Sequence, residues 1–230
     1  MARELAGTAV VMDLDDTLTL ERDYVRSGYC VVGVTLRQQT GRSDLFEQWL
    51  WQRFLSGQAG GAFNALSEEF DLGLSDERIL ELVKVYREHR PLIEPVKGVT
   101  GLLRELRQGG ARLGLLSDGF LPAQEYKLEA VGLAHAFDRV LFTESLGREC
   151  WKPSPAAFER IAADLETLHE RCIYVGDNPA KDFVAPNALG WRTVQVRLEG
   201  QIHAEKPVAD GGRPGTVVWG VEELRRELLD

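Results

Sequence analysis

Apolar residues in this chain come in short runs that stop abruptly at polar ones. The stretch Thr8–Leu14 reads Thr-Ala-Val-Val-Met-Asp-Leu and ends among carboxylates. Ala111–Leu116 runs into Ser117-Asp118-Gly119, and Cys172–Val175 runs into Gly176-Asp177. Arg139–Phe142 and Arg192–Val196 are two further runs. Segments that are apolar on both sides suit strands buried in a parallel sheet. Helical patterns lie between them. Val99, Leu102, Leu103 and Leu106 follow i, i+3, i+4, i+7, and Phe158, Ile161, Ala162 and Leu165 repeat that spacing. The alternation predicts right-handed βαβ crossovers and a parallel sheet covered on both faces, an α/β fold.

Residues 18–94 read differently. Leu45, Phe46, Trp49, Leu50 and Phe54 make one broad helical face, and Ile79, Leu82, Val83 and Tyr86 make another. Ser75-Asp76 is a helix start, Gly57–Gly61 a loop and Pro91–Pro95 a turn-rich return. We therefore expect a helical domain at 18–94 inserted into a sheet domain of residues 1–17 and 95–230. Leu198–Gly215 is rich in glycine and proline among charges and is expected to be a surface loop. Glu222–Leu229 is expected to be a short amphipathic helix.

Composition narrows the class. The chain has 230 residues, 44% of them hydrophobic and 27% charged, as in an ordinary globular protein. No apolar run reaches the roughly 18 residues that a membrane span requires. The opening Met1-Ala-Arg-Glu-Leu-Ala-Gly is too polar for a secretory leader. A net charge of −9 disfavours binding to nucleic acid. The three cysteines, Cys30, Cys150 and Cys172, form no C-x-x-C pair, which argues against a disulfide framework and fits the reducing cytoplasm.

The candidate chemistry sits at the ends of the predicted strands, where open α/β sheets place their sites. Asp13 and Asp15 would point to one side of an extended segment and repel each other unless a divalent cation or a proton intervenes. The alternative is a polar exit from the sheet. Ser117 heads a glycine-containing turn suited to an anion, or simply caps a helix. Lys152 precedes two prolines on a stiffened segment and could be aimed at a phosphate oxygen, or be solvated. Asp177 ends the fourth run, and Asp182 follows five residues later, expected in the first turns of a helix. A carboxylate there beside Asp13 and Asp15 would complete a hard-oxygen site.

Taken in order, D-x-D-x-T at 13–17, Ser-Asp-Gly at 117–119, Lys-Pro at 152–153 and Gly-Asp-(x4)-Asp at 176–182 resemble the haloacid dehalogenase-like (HAD) superfamily. The resemblance spans essentially the whole chain. It implies a Rossmann-like parallel-sheet core with residues 18–94 as an α-helical cap.

The resemblance also implies a mechanism. Asp13 would be a nucleophile forming an aspartyl-phosphate, and Asp15 the acid that protonates the leaving alcohol and then activates water. Mg²⁺ would be held by the Asp13 side chain, the Asp15 main-chain carbonyl and Asp177. Ser117, Lys152 and the amides of Asp118 and Gly119 would bind phosphate oxygens, with Thr17 and Asp182 in support.

Dehalogenases of this superfamily release halide without a second acid, so Asp15 favours phosphate chemistry. The lone cap lysine, Lys84, lies next to Val83 on the polar side of its helix, against a phosphonatase. A sugar phosphomutase and a non-catalytic binding protein are the alternatives. The implied partner is a small phosphorylated metabolite (a sugar phosphate, an organic acid phosphate or a nucleotide), taken by a monomer or homodimer. Leu18–Tyr24, Arg22, Arg26, Arg37, Arg42, Arg53, Trp49 and Trp51 are the positions from which the cap would select it.

Overall fold

The computed structural model describes residues 5–230, which divide into two compact units. One comprises residues up to Arg22 together with Glu94–Asp230, and the other is Asp23–Ile93.

The first unit is built on six parallel strands: β1 (Ala9–Met12), β2 (Arg112–Ser117), β3 (Arg139–Phe142), β4 (Cys172–Gly176), β5 (Arg192–Arg197) and β6 (Thr216–Trp219). Their order is β3-β2-β1-β4-β5-β6. Val11 lies opposite Gly114 on β2 and Tyr174 on β4, so β1 is buried from both edges as well as both faces. That explains why its sequence is apolar without alternation. The chain builds outward from β1 to β3 and then returns to β1's other side with β4. A crevice at the carboxyl ends of the strands is expected at such a reversal, and it falls between β1 and β4.

Helices α5 (Val99–Gln108), α6 (Ala123–Ala130), α7 (Ala156–Asp164), α8 (Val184–Ala188) and α9 (Gly220–Leu229) belong to this unit. α5 buries Val99, Leu102, Leu103 and Leu106, the four residues of its predicted face. α7 packs Phe158 and Ile161 into one cluster with Val11, Leu116, Tyr174, Phe183 and Trp191.

The sequence pattern missed β6, a four-residue edge strand with only Val218 buried. The stretch Leu198–Gly215 is a surface loop, as expected. That stretch has no regular structure, but Ile202 donates a backbone hydrogen bond to Asp16 Oδ2 at 2.8 Å, and Gln201 Nε2 donates to the Asp16 carbonyl at 2.5 Å. Asp182 sits in a turn before α8, not in its first turns, because its carboxylate is drawn back onto the backbone that follows β4.

The second unit is helical: α1 (Glu21–Thr40), α2 (Phe46–Leu55), α3 (Ala62–Glu69) and α4 (Asp76–Glu88). Ser75 caps α4, its Oγ accepting from the Arg78 amide at 3.4 Å. Val25, Tyr29, Val32 and Leu36 of α1 meet Phe46, Leu50, Phe63, Leu66, Ile79 and Leu82 in one core. Trp49 and Trp51 both pack against it. Arg37 pairs with Glu47 at 2.5 Å, Arg42 with Asp44 at 2.5 Å, and Arg26 lies 5.5 Å from the centre of the Trp51 ring. Within the segment 18–24, the residues from Glu21 onward belong to α1.

Candidate active site

The exits of β1, β2 and β4 place the predicted residues together. Asp13 continues the β1–β4 ladder, donating its amide to the Val175 carbonyl at 2.9 Å. The next residues turn tightly, with the Leu14 carbonyl accepting from Leu18 at 2.9 Å. Asp16 adopts φ 53°, a left-handed conformation that aspartate tolerates better than most residues. Its buried carboxylate accepts the amides of Glu21 and Ile202, which fixes the loop. Burial pushes Asp16 up to about 6 despite those two donors.

Lys152 is the centre of the charge arrangement. Its fully buried ammonium lies 3.1 Å from Asp13 Oδ1 and 2.9 Å from Asp182 Oδ1, and donates to the Tyr174 hydroxyl at 3.0 Å. Burial alone would lower its pKa, but Asp13 and Asp182 outweigh that and hold it well above the ordinary lysine value. Asp182 also accepts the amides of Asp177 and Asn178 at 3.2 and 2.8 Å. Gly176 makes room for it, since a Cβ there would stand 2.6 Å from Asp182 Oδ2.

The carboxylates of Asp13, Asp177 and Asp182 each offer an oxygen within 4.8 Å of the others, and all three are buried. Burial raises Asp177 to about 10, reinforced by the charges of Asp182 and Asp13. Burial raises Asp13 to about 7, with Lys152 opposing. Asp177 Oδ2 is buried with no hydrogen-bond partner among the described residues. An orphaned oxygen in a cluster of mutually repelling carboxylates fits a hard divalent cation such as Mg²⁺, which takes oxygen ligands. The Asp15 carboxylate stands outside this cluster. It accepts from Lys127 Nζ at 2.7 and 2.8 Å and from Gln124 Nε2 at 2.8 Å.

Ser117 is fully buried at the end of β2, and Gly119 follows with φ 141°. The Asp118 side chain ties the neighbouring loops together. It accepts from Thr143 Oγ1 at 2.9 Å, the Lys152 amide at 3.2 Å and Lys181 Nζ at 2.8 Å. Burial favours its neutral form, but Lys152 and Lys181 prevail and hold it below the usual carboxylate value. Thr17 is buried, its hydroxyl without a partner among the described residues.

Sequence reasoning missed Lys181, although it lies inside the Gly176–Asp182 run. It also missed Gln124, Lys127, Thr143, Tyr174 and Gln195, which donates to the Asp177 carbonyl at 2.8 Å.

This combination of sheet order and strand-exit residues defines a hydrolase class, and comparison with known proteins agrees. The family described as haloacid dehalogenase-like hydrolase matches residues 8–190, so the chain belongs to that family. It is 33% identical over 138 residues to a glyceraldehyde 3-phosphate phosphatase of Methanopyrus kandleri, covering 60% of this chain and 56% of that protein. It thus spans little more than half the length of that relative. It is 24% identical over 184 residues to (S)-2-haloacid dehalogenase 2 of Pseudomonas sp., covering 77% and 76%. Among solved structures, a HAD family hydrolase from Deinococcus radiodurans R1, with bound phosphate and sodium, matches with TM-score 0.68 and 21% identity over 98% of this chain and 96% of that one. Among the described residues, no helix is long and apolar enough to cross a membrane.

Proposed function

We propose that the protein is a Mg²⁺-dependent phosphatase that hydrolyses the monoester of a small phosphorylated metabolite. The observation that carries this reading is the second carboxylate, Asp15, held at the same strand exit as Asp13 and outside the three-acid cluster. Hydrolysis of a phosphate ester needs an acid for the departing alkoxide, and displacement of halide does not.

In this reading Asp13 attacks phosphorus, the bond to the ester oxygen breaks, and Asp15 gives its proton to that oxygen. Water then attacks the phosphorus of the aspartyl-phosphate. Asp15 takes a proton from the water, and the Asp13 carboxylate is released with inorganic phosphate. Lys152 and the Ser117 hydroxyl stabilise the non-bridging oxygens as charge shifts among them. Asp13 and Asp177 would hold Mg²⁺, with Asp182 behind them. The bound cation would supply charge neutralisation for an anionic nucleophile meeting an anionic phosphate. The helical unit, residues 23–93, takes the part of a cap that selects the substrate.

The experiment is phosphate release from a panel of metabolite monoesters with and without Mg²⁺, with Asp13→Asn prepared identically. We expect Mg²⁺-dependent release that falls by about a thousandfold or more in the variant, as when a nucleophile is removed. No release from the wild type across the panel, or near-normal release from Asp13→Asn, rejects the reading. The dehalogenase relative favours a second reading, carbon–halogen hydrolysis. Halide release from 2-haloacids in the same panel would establish it.

A further inference from the structure

α6 carries two polar side chains on one face that a short helix over a sheet would normally turn to solvent. Gln124 is 3% exposed and Lys127 is 5% exposed. Burying a lysine is costly unless its charge is met. Lys127 meets both oxygens of Asp15, at 2.7 and 2.8 Å, across 112 residues of sequence. Gln124 Nε2 adds a third bond to Asp15 at 2.8 Å, and the same nitrogen reaches Ser117 Oγ at 3.3 Å and the Asp118 carbonyl. Gly119 leaves the room for this, because a Cβ there would collide with the Gln124 amide. With both oxygens engaged, the Asp15 carboxylate has its plane and direction fixed, and Gln124 couples that direction to the serine at the end of β2.

We propose that Lys127 and Gln124 are positioning residues that aim the Asp15 carboxylate for proton transfer to the leaving group. The claim rests on the acid–base assignment of Asp15 made above, and deepens it. A displaced carboxylate delivers its proton poorly, which matters for an alkoxide and much less for a nitrophenolate, which departs without a proton.

The test compares kcat/KM for the best alkyl monoester of the panel with that for p-nitrophenyl phosphate, using wild type, Lys127→Met and Lys127→Arg at saturating Mg²⁺. General acid catalysis typically contributes 10²–10⁴-fold, so Lys127→Met is expected to lose about a hundredfold on the alkyl ester. On the aryl ester it loses much less, and Lys127→Arg recovers most of the alkyl activity. Equal losses on both esters, or no loss, overturn the proposal. A crystal structure of Lys127→Met gives a readout that needs no turnover: the Asp15 carboxylate leaves its wild-type position. If it stays in place, the proposal fails whatever the kinetics. A wild type inactive on both esters instead rejects the phosphatase reading, and the crystal structure alone then decides the positioning claim.

Discussion

The two units of this protein bury different things. The sheet unit buries Asp13, Asp16, Asp118, Lys127, Lys152, Asp177 and Asp182, while in the helical unit the polar or charged side chain so buried among the described residues is His89. His89 is held locally, its Nδ1 2.6 Å from the Tyr86 carbonyl. The arginine–carboxylate pairs of the helical unit, such as Arg42–Asp44, stay partly exposed, where such pairs contribute little. The helical unit is thus held by ordinary apolar packing. The sheet unit keeps costly charges out of water at one end of its strands, an arrangement that clusters at functional sites.

The contrast can be tested from its largest expected effect downward. Lys152→Met leaves Asp13 and Asp182 buried without their cation. We expect a loss of about 4 kcal/mol, the typical result of breaking a buried pair, measured by urea unfolding. A loss below about 1 kcal/mol would show that the charge network is not structural and would weaken the contrast.

In the helical unit the comparable lesion is a cavity. Leu50 is fully buried in its core, and Leu50→Ala should cost about 3 kcal/mol in the same assay. This loss should not change with salt, because no charge is involved.

The smallest effect concerns thiols. Cys30 in the helical unit is exposed, whereas burial pushes the Cys172 thiol up to about 12. The thiolate is the reactive form, so a raised value keeps the proton on sulfur throughout the working range. At pH 8 maleimide should label the exposed Cys30 while Cys172 stays unlabelled, as read by mass spectrometry of peptides. Labelling of Cys172 at pH 8 would show that the sheet interior opens readily.

What could be read from sequence follows from where chemistry meets pattern. Asp13, Ser117 and Asp177 each stand within two residues of the last apolar residue of a run, so hydropathy alone points at them. Lys127 and Gln124 sit in Ala-Gln-Glu-Tyr-Lys-Leu-Glu-Ala, a polar helix in which a lysine reads as solvated. Only the distant contact with Asp15 gives them meaning, and no local spacing encodes it. α1 escaped for a related reason. Val25, Tyr29, Val32 and Leu36 recur at helical spacing, but two glycines and two polar ends dilute the signal. Strand β6 is short and half-exposed at the sheet edge, where packing asks little of the sequence.

The central place of β1 has a consequence for how the chain folds during synthesis. Val11 pairs with Gly114 on one side and Tyr174 on the other, so the β2 ladder must wait until about 100 more residues have followed the strand, and the β4 ladder until about 160 have. At roughly 5–20 residues per second on the ribosome, that is a wait of about ten seconds or more. The helical unit, Asp23–Ile93, is continuous in sequence and emerges whole in the meantime. An Ala-Val-Val-Met segment left without one of its neighbours for that interval is a natural target for chaperones, and Asp13 stands directly after it.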